Sequence, residues 1–304
     1  MNLRSGTRLA DTGRRGLKLG LWWMAIRPRT LSLSAIPVVA GSALAWHEGA
    51  GIAWLPLIVA LLCALLIQAG TNLFNDVGDA LRGNDGPTRL GPARVTASGL
   101  ATPGQVRRAA LATFLAALLG GIYLVIVGGW PILAIGLASL AAGWAYSGGP
   151  RPLSYTAWGE VFVMLFFGLV AVAGSHYLQS GAFTASALWL GLALGCHAAA
   201  VLLVNNVRDL EADRRAGRRT LASVLGTGPS RTLYALLMLA PFPLLAQQLG
   251  LAGVGAAWLA LPVCLWLALR FRHQPPGAQM NHHLARTAQA QLLLGALLSI
   301  ALLW

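Results

Sequence analysis

Apolar runs long enough to cross a lipid bilayer recur along this chain from residue 22 to its end, and they leave few folds open. A spanning helix needs about 20 mostly apolar residues. Nine such segments can be marked, at about 22–46, 52–75, 104–126, 130–146, 158–178, 184–206, 231–249, 251–270 and 284–303. Gly128-Gly129-Trp130 splits the third from the fourth, and the seventh meets the eighth near Leu249–Ala252. Only 10% of the residues are charged and the mean hydropathy is +0.66. A soluble domain carries roughly 25% charged residues, so the fold class expected is an all-α polytopic membrane protein. The 36 glycines suit close helix packing, which in lipid relies on small residues. Residues 1–21 read as a basic cytoplasmic tail and 22–304 as one transmembrane domain.

The net charge of +13 would suggest nucleic acid in a soluble protein. Here its placement points to the membrane instead, and no nucleic-acid partner is expected. All 22 Lys and Arg fall in the N-terminus, 82–108, 151, 208–231 and 270–286, which are the tail and every second loop after it. By the positive-inside rule, that alternation puts the N-terminus and the basic loops in the cytoplasm and Trp304 outside. The apolar stretch after Arg14-Arg15 is long and ends at no small-residue cleavage site, so an uncleaved tail is expected rather than an export signal. Cys63, Cys196 and Cys264 lie singly in apolar runs, as small core residues do.

The nine acidic residues say more than the basic ones. Six form two clusters, Asp76, Asp79 and Asp85, then Asp209, Glu211 and Asp213, each where an apolar segment runs out into a basic loop. The order Asn75-Asp76-Val77-Gly78-Asp79 echoes Asn205-Asn206-Val207-Arg208-Asp209, which suggests an internal repeat whose halves face one site. On a helix, residues three, four and seven apart share a face. Asn72, Asp76 and Asp79 would then line up, and so would Asn205, Asp209 and Asp213. Carboxylates at membrane depth are costly and usually face a functional cavity. Mg²⁺ takes oxygen ligands, typically one or two carboxylates plus substrate phosphates, and two such clusters could hold ions flanking a diphosphate. The interleaved arginines, Arg94 and Arg218 among them, suit phosphate oxygens. Such a mouth on an apolar bundle fits a substrate with a charged head and a greasy tail.

These motifs resemble a known family. Asn72-Leu-Phe-Asn75-Asp76-Val-Gly-Asp79, with Arg82-Gly-Asn-Asp85, looks like the first aspartate-rich motif of the UbiA superfamily of intramembrane prenyltransferases. Asn205-Asn-Val-Arg-Asp209-Leu-Glu-Ala-Asp213 and the run to Thr220-Leu221 look like the second. Arg27-Pro-Arg-Thr-Leu31, Gly91 to Gly99, Tyr146-Ser-Gly-Gly-Pro150, Gly159 to Gly168 and Leu284-Ala-Arg-Thr-Ala288 resemble the MenA branch, the 1,4-dihydroxy-2-naphthoate polyprenyltransferases of menaquinone synthesis. Arg29 and Arg218 stand where many relatives carry lysine, which keeps the charge but changes the geometry offered to phosphate.

The resemblance implies a UbiA-type bundle with a cytoplasm-facing active site in a bacterial inner membrane. Its substrates would be polyprenyl diphosphate and an aromatic acceptor, its cofactor Mg²⁺. Asp76, Asp79, Asp209 and Asp213 would bind the metal and carry catalysis. Asn72, Asn75, Asn205, Arg94, Arg151, Arg218 and Tyr146 would bind substrate. Another UbiA-type transferase, with an acceptor such as 4-hydroxybenzoate, is the alternative enzyme. An ion-coupled transporter is the competing class, disfavoured because the acids lie at helix ends and not at the midplane. His197 and His176 are expected to be structural, His273, His282 and His283 to be interfacial loop residues, and Glu160 either to position the acceptor or to cap its helix.

Overall fold

The computed structural model describes residues 20–83, 89–149 and 152–304. Asp85, Arg151 and residues 1–19 of the basic tail lie outside them. The described chain is built of helices: α1 (Ser32–His47), α2 (Trp54–Leu81), α3 (Pro103–Ser147), α4 (Gly159–Ser180) and α5 (Ala185–Arg208). The short α6 (Leu210–Arg215) and α7 (Leu221–Leu225) follow, then α8 (Thr227–Gly250), α9 (Gly255–His273) and α10 (Met280–Leu303). Several termini follow from local chemistry. Thr102 and Gln105 form a reciprocal capping box at the start of α3, and the Thr184 hydroxyl accepts from the Ala187 N–H at 3.2 Å to start α5. Gly181, at φ 73°, closes α4 in the left-handed conformation that glycine adopts without cost.

Seven of these helices are long and apolar enough to span a membrane, and the segment Gly20–Thr30, bent by 54° from α1, makes an eighth with it. The sequence count of nine differs in α3. Its 45 residues would reach about 68 Å at 1.5 Å per residue, more than twice the roughly 30 Å hydrocarbon core. Gly129, at φ 69° and ψ −158°, interrupts it next to Pro131, between the third and fourth segments of the sequence reading. Gly250, at φ 72°, likewise marks the turn between α8 and α9.

α5 is the central helix. Of its most apolar window 78% is buried, against 17% for α3 at the lipid-facing periphery. It meets α4 backbone to backbone. A Cβ added to Gly168 would lie 2.3 Å from the Gly191 carbonyl oxygen and 2.5 Å from the Gly195 Cα, and one added to Gly195 would lie 2.6 Å from the Met164 carbonyl. Gly191 and Gly195 thus form a small-xxx-small face that lets two helices approach closely. Around Gly168 α4 widens into a π turn, Leu165–Val170. Gly195→Val is therefore expected to cost about 3 kcal/mol or more, because the clash is with backbone and not with a movable side chain. Thermal unfolding in detergent measures this, with Gly136→Ala, which meets no atom within 4 Å, as the neutral control.

Candidate active site

The site forms where the basic stretches of the sequence converge at one end of the bundle. Asn72 in α2 donates to the Ile26 carbonyl at 2.8 Å, which ties α2 to the Gly20–Thr30 segment. Asn281 at the start of α10 donates to the Leu90 carbonyl at 2.7 Å, and the Arg219 N–H reaches the Tyr155 carbonyl at 2.9 Å. Loops read as lying on one side of the membrane therefore do lie on one side of this structure.

Asp79, in the last turn of α2, joins three of these elements. One carboxylate oxygen accepts from Arg94 at 2.6 Å. The other accepts from the Tyr155 hydroxyl at 3.2 Å and from Arg218. Arg94 also donates to the Asn75 side-chain oxygen at 3.2 Å and to the Asn75 carbonyl. The Arg218 guanidinium sits 4.2 Å above the Tyr155 ring, donates to its hydroxyl at 3.1 Å and lies 3.5 Å from Asp213. Burial, and then the Asp79 charge, push the Tyr155 phenol up from its ordinary value, so it acts as a neutral donor.

Asp76 has a different environment. Its two oxygens accept from the Val95 and Thr96 N–H groups at 3.1 and 3.0 Å, so it fixes the loop that carries Arg94. It is 3% exposed and does not line the cavity described below.

The second cluster departs from the expected geometry. α5 ends at Arg208, and Asp209 (φ −93°, ψ 8°) is the joint between α5 and α6. Asn205, Asp209 and Asp213 therefore do not share one continuous helix face. A bond from the Asp213 N–H to the Asp209 carbonyl, 2.8 Å, holds the joint. Arg208 binds Asp209 at 2.8 Å through Nε, and also the side-chain oxygens of Asn205 and Asn281, each at 2.8 Å. Burial pushes the Asp213 carboxyl up to about 7, against the pull of Arg218. A carboxyl so placed gains from a nearby cation.

A cavity of about 960 Å³ opens among these groups. Arg27, Arg29, Arg89, Arg94, Arg208 and Arg218 line its polar end, with Asp79 and Asp209 the lining carboxylates and Asn72, Asn75 and Asn205 beside them. Six arginines against two aspartates leave an excess of four positive charges. The remainder is apolar, with walls that include Val38, Ile67, Leu118, Ile122, Leu133 and Phe166. Tyr146 lines it as well.

Some lining residues were not singled out in the sequence. Asn206 lines the cavity and donates to buried Glu160 at 2.8 Å, while the second Glu160 oxygen has no partner among the described residues. Tyr155 and Asn281 join distant segments, and no local pattern marks either. Arg27 stands out by conformation, at φ 57° the sole positive-φ residue other than glycine among the described residues.

Three of the histidines tie separate elements together. His197 bonds the Met238 carbonyl at 3.1 Å between α5 and α8, and His176 meets Glu48 at 2.7 Å. His283 differs from its expected place in an interfacial loop. It lies inside α10, 3% exposed, 3.0 Å from the Tyr234 hydroxyl, because the helix starts earlier than the apolar run does. The three cysteines are buried and free.

Comparison with known proteins places the chain in a family. The UbiA prenyltransferase family matches residues 34–302. The 1,4-dihydroxy-2-naphthoate octaprenyltransferase of Mycobacterium tuberculosis is 39% identical, over 70% of this chain and 72% of that protein. The Escherichia coli protein of the same name is 34% identical, over 90% of this chain and 91% of that protein. Among solved structures, a UbiA homolog from Archaeoglobus fulgidus bound to GPP and Mg²⁺ superposes with a TM-score of 0.65 at 16% identity, covering 93% of this chain and 99% of that one. The last is a likeness of fold alone. With the family matched over nearly the whole chain, and two aspartate motifs brought to one cationic cavity mouth, this protein belongs to the UbiA prenyltransferase family.

Proposed function

We propose that this protein transfers a polyprenyl group from polyprenyl diphosphate to 1,4-dihydroxy-2-naphthoate, with loss of the acceptor carboxyl as CO₂, in menaquinone synthesis. One observation carries the reading: a single cavity pairs a mouth of six arginines and two aspartates with a long apolar body. That is the shape of a diphosphate with an isoprenoid tail. The names of the Mycobacterium tuberculosis and Escherichia coli relatives support the acceptor.

The donor set suits Mg²⁺. No three Asp, Glu, His or Cys side chains converge as a closed metal cage among the described residues. Mg²⁺ does not need one, since it is commonly held by one or two carboxylates with substrate phosphates and water completing its shell. Asp79 and Asp209 reach the cavity and would hold it. Asp76 and Asp213 back them, the first by fixing the Arg94 loop and the second by holding Arg218. When bound, Mg²⁺ offsets the negative charge that collects on the departing diphosphate.

The chain's own groups do the rest. Arg94 and Arg218, aimed by Asp79 and Tyr155, present fixed positive charge where the leaving oxygen becomes anionic, and preorganised charge needs no reorganisation at that moment. As the carbon–oxygen bond breaks, the allylic carbon becomes electron-poor and the electron-rich ring attacks it. The electrons of the ring–carboxylate bond return to the ring as CO₂ leaves, so the ring itself needs no base. The apolar walls hold the chain so that ring and carbon stay close. The cavity mouth would face the cytoplasm of a bacterial inner membrane.

Four outcomes follow. Purified protein with geranylgeranyl diphosphate and Mg²⁺ should form prenylated naphthoquinol from 1,4-dihydroxy-2-naphthoate, followed by mass, and none after chelation. Asp79→Asn and Asp209→Asn should each lower turnover roughly 100-fold or more, the scale of losing a transition-state charge contact. Product from 4-hydroxybenzoate alone would overturn the acceptor while keeping the chemistry. Tyr155→Phe, which keeps the ring under Arg218 but removes the hydroxyl's bonds to Asp79 and Arg218, should lower turnover by about 5- to 10-fold with folding intact. An alkaline phosphatase domain fused after Trp304 should be active in cells and one fused after Arg219 inactive; the reverse would invert the orientation.

A further inference from the structure

A second groove lies on the lipid-facing side of the bundle, between α9 and α10. It has a volume of about 480 Å³ and shares no lining residue with the main cavity. Two stripes of side chains build it. On α9, Pro262, Val263 and Trp266 line it, with Arg270 one turn beyond, over the Trp266 ring at the rim; on α10, Arg286, Gln289, Ala290 and Leu293 line it. α9 runs toward its arginine and α10 runs away from its own, so both cations sit at one end of the groove and the apolar residues at the other.

The cations are held together without an anion. The Arg270 and Arg286 guanidinium carbons lie 5.4 and 5.1 Å from the centroid of the same Trp266 ring. Among the described residues no salt bridge engages either arginine, both of which are exposed. Stacking on an indole is favourable, but it gathers two like charges that repel. Arg270, in the last turn of α9, complements that helix's carboxyl end. Arg286, in the second turn of α10, gains nothing from the positive end of its own helix. The groove includes no carboxylate, so it lacks what a metal-bound diphosphate needs. Leu265, Leu269 and Leu292 around it are 41 to 57% exposed, as expected of side chains facing acyl chains.

We infer that this groove is a binding site for an anionic phospholipid, its headgroup phosphate held between Arg270 and Arg286 over Trp266 and one acyl chain lying along Pro262, Val263 and Leu293. Basic pockets between transmembrane helices recognise anionic headgroups in this way, and each arginine near an anionic surface contributes enough to change affinity several-fold. The site also gives a physical role to Arg286 of the Leu284–Ala288 stretch, whose Leu284 and Ala285 face the main cavity while Arg286 does not.

The test uses the full-length protein, purified in detergent and stripped of lipid. Native mass spectrometry and thermal unfolding would be followed while phosphatidylglycerol, phosphatidylcholine, inorganic phosphate or geranylgeranyl diphosphate is titrated in. Phosphatidylglycerol should bind and stabilise the protein, and phosphatidylcholine and inorganic phosphate should not. The double variant Arg270→Gln/Arg286→Gln should lose roughly 10- to 30-fold in apparent affinity for phosphatidylglycerol. Arg272→Gln, at the same helix end but not one of the two arginines stacked on Trp266, should lose little. Phosphatidylglycerol binding unchanged in the double variant, or equal binding of phosphatidylcholine, would overturn the site. Inorganic phosphate acting as well as the lipid would reduce it to an anion site, and displacement of phosphatidylglycerol by geranylgeranyl diphosphate would make it a substrate entrance; either outcome overturns the assignment.

Discussion

The site depends on one carboxylate shared between two cations. Asp79 accepts from Arg94 on one oxygen and from Arg218 and Tyr155 on the other, and so joins residues 15, 76 and 139 positions away. Taking a charge out of water is expensive unless it is paired and hydrogen-bonded, and Asp79 is both. Removing either arginine would leave one Asp79 oxygen without its cation and the carboxylate paired on one side only. The loop bearing Arg94, the turn bearing Tyr155 and the segment bearing Arg218 are thus held to α2 by the same group. Asp76, three residues earlier on that helix, secures the Arg94 loop through its backbone.

Around this hub the structure concentrates more positive charge than its own acids offset. That imbalance is costly in an empty protein and favourable once a polyanion enters. It lies at the mouth of an apolar cavity, where a diphosphate can stay near water while its hydrocarbon tail sits among side chains as apolar as lipid. The second cluster mirrors the arrangement less symmetrically. Asp209 sits at a joint between helices, with Arg208 bridging it to Asn205 and Asn281, so the last helix contributes to a site built mostly from α2 and α5.

The groove between α9 and α10 repeats the chemistry of an anion-accepting end on an apolar body, but without carboxylates and on the outer surface. The contrast with the main cavity separates two kinds of anionic lipid. Aspartates beside the arginines suit a metal-bound diphosphate; an indole beside them suits the single phosphodiester of a phospholipid headgroup.

Much was determined by the sequence alone. The apolar runs imposed a membrane-spanning helical bundle because a bilayer admits few other folds, and the alternation of basic loops placed those loops on one side. The repeated asparagine–aspartate order pointed to the candidate site, since nine acids in 304 residues are too few for six of them to cluster without reason. Tertiary structure decided what each acid touches. Asp76 was indistinguishable from Asp79 by position on a helix face, yet the loop at 92–101 turns its backbone amides to Asp76 and its Arg94 side chain to Asp79, which Arg218 and Tyr155 also reach. The break at Asp209, the helical setting of His283, and the parts played by Tyr155, Asn206 and Asn281 depend on partners scores of residues away. Periodicity carries information over a few turns of helix, and long-range contacts leave no local trace in it.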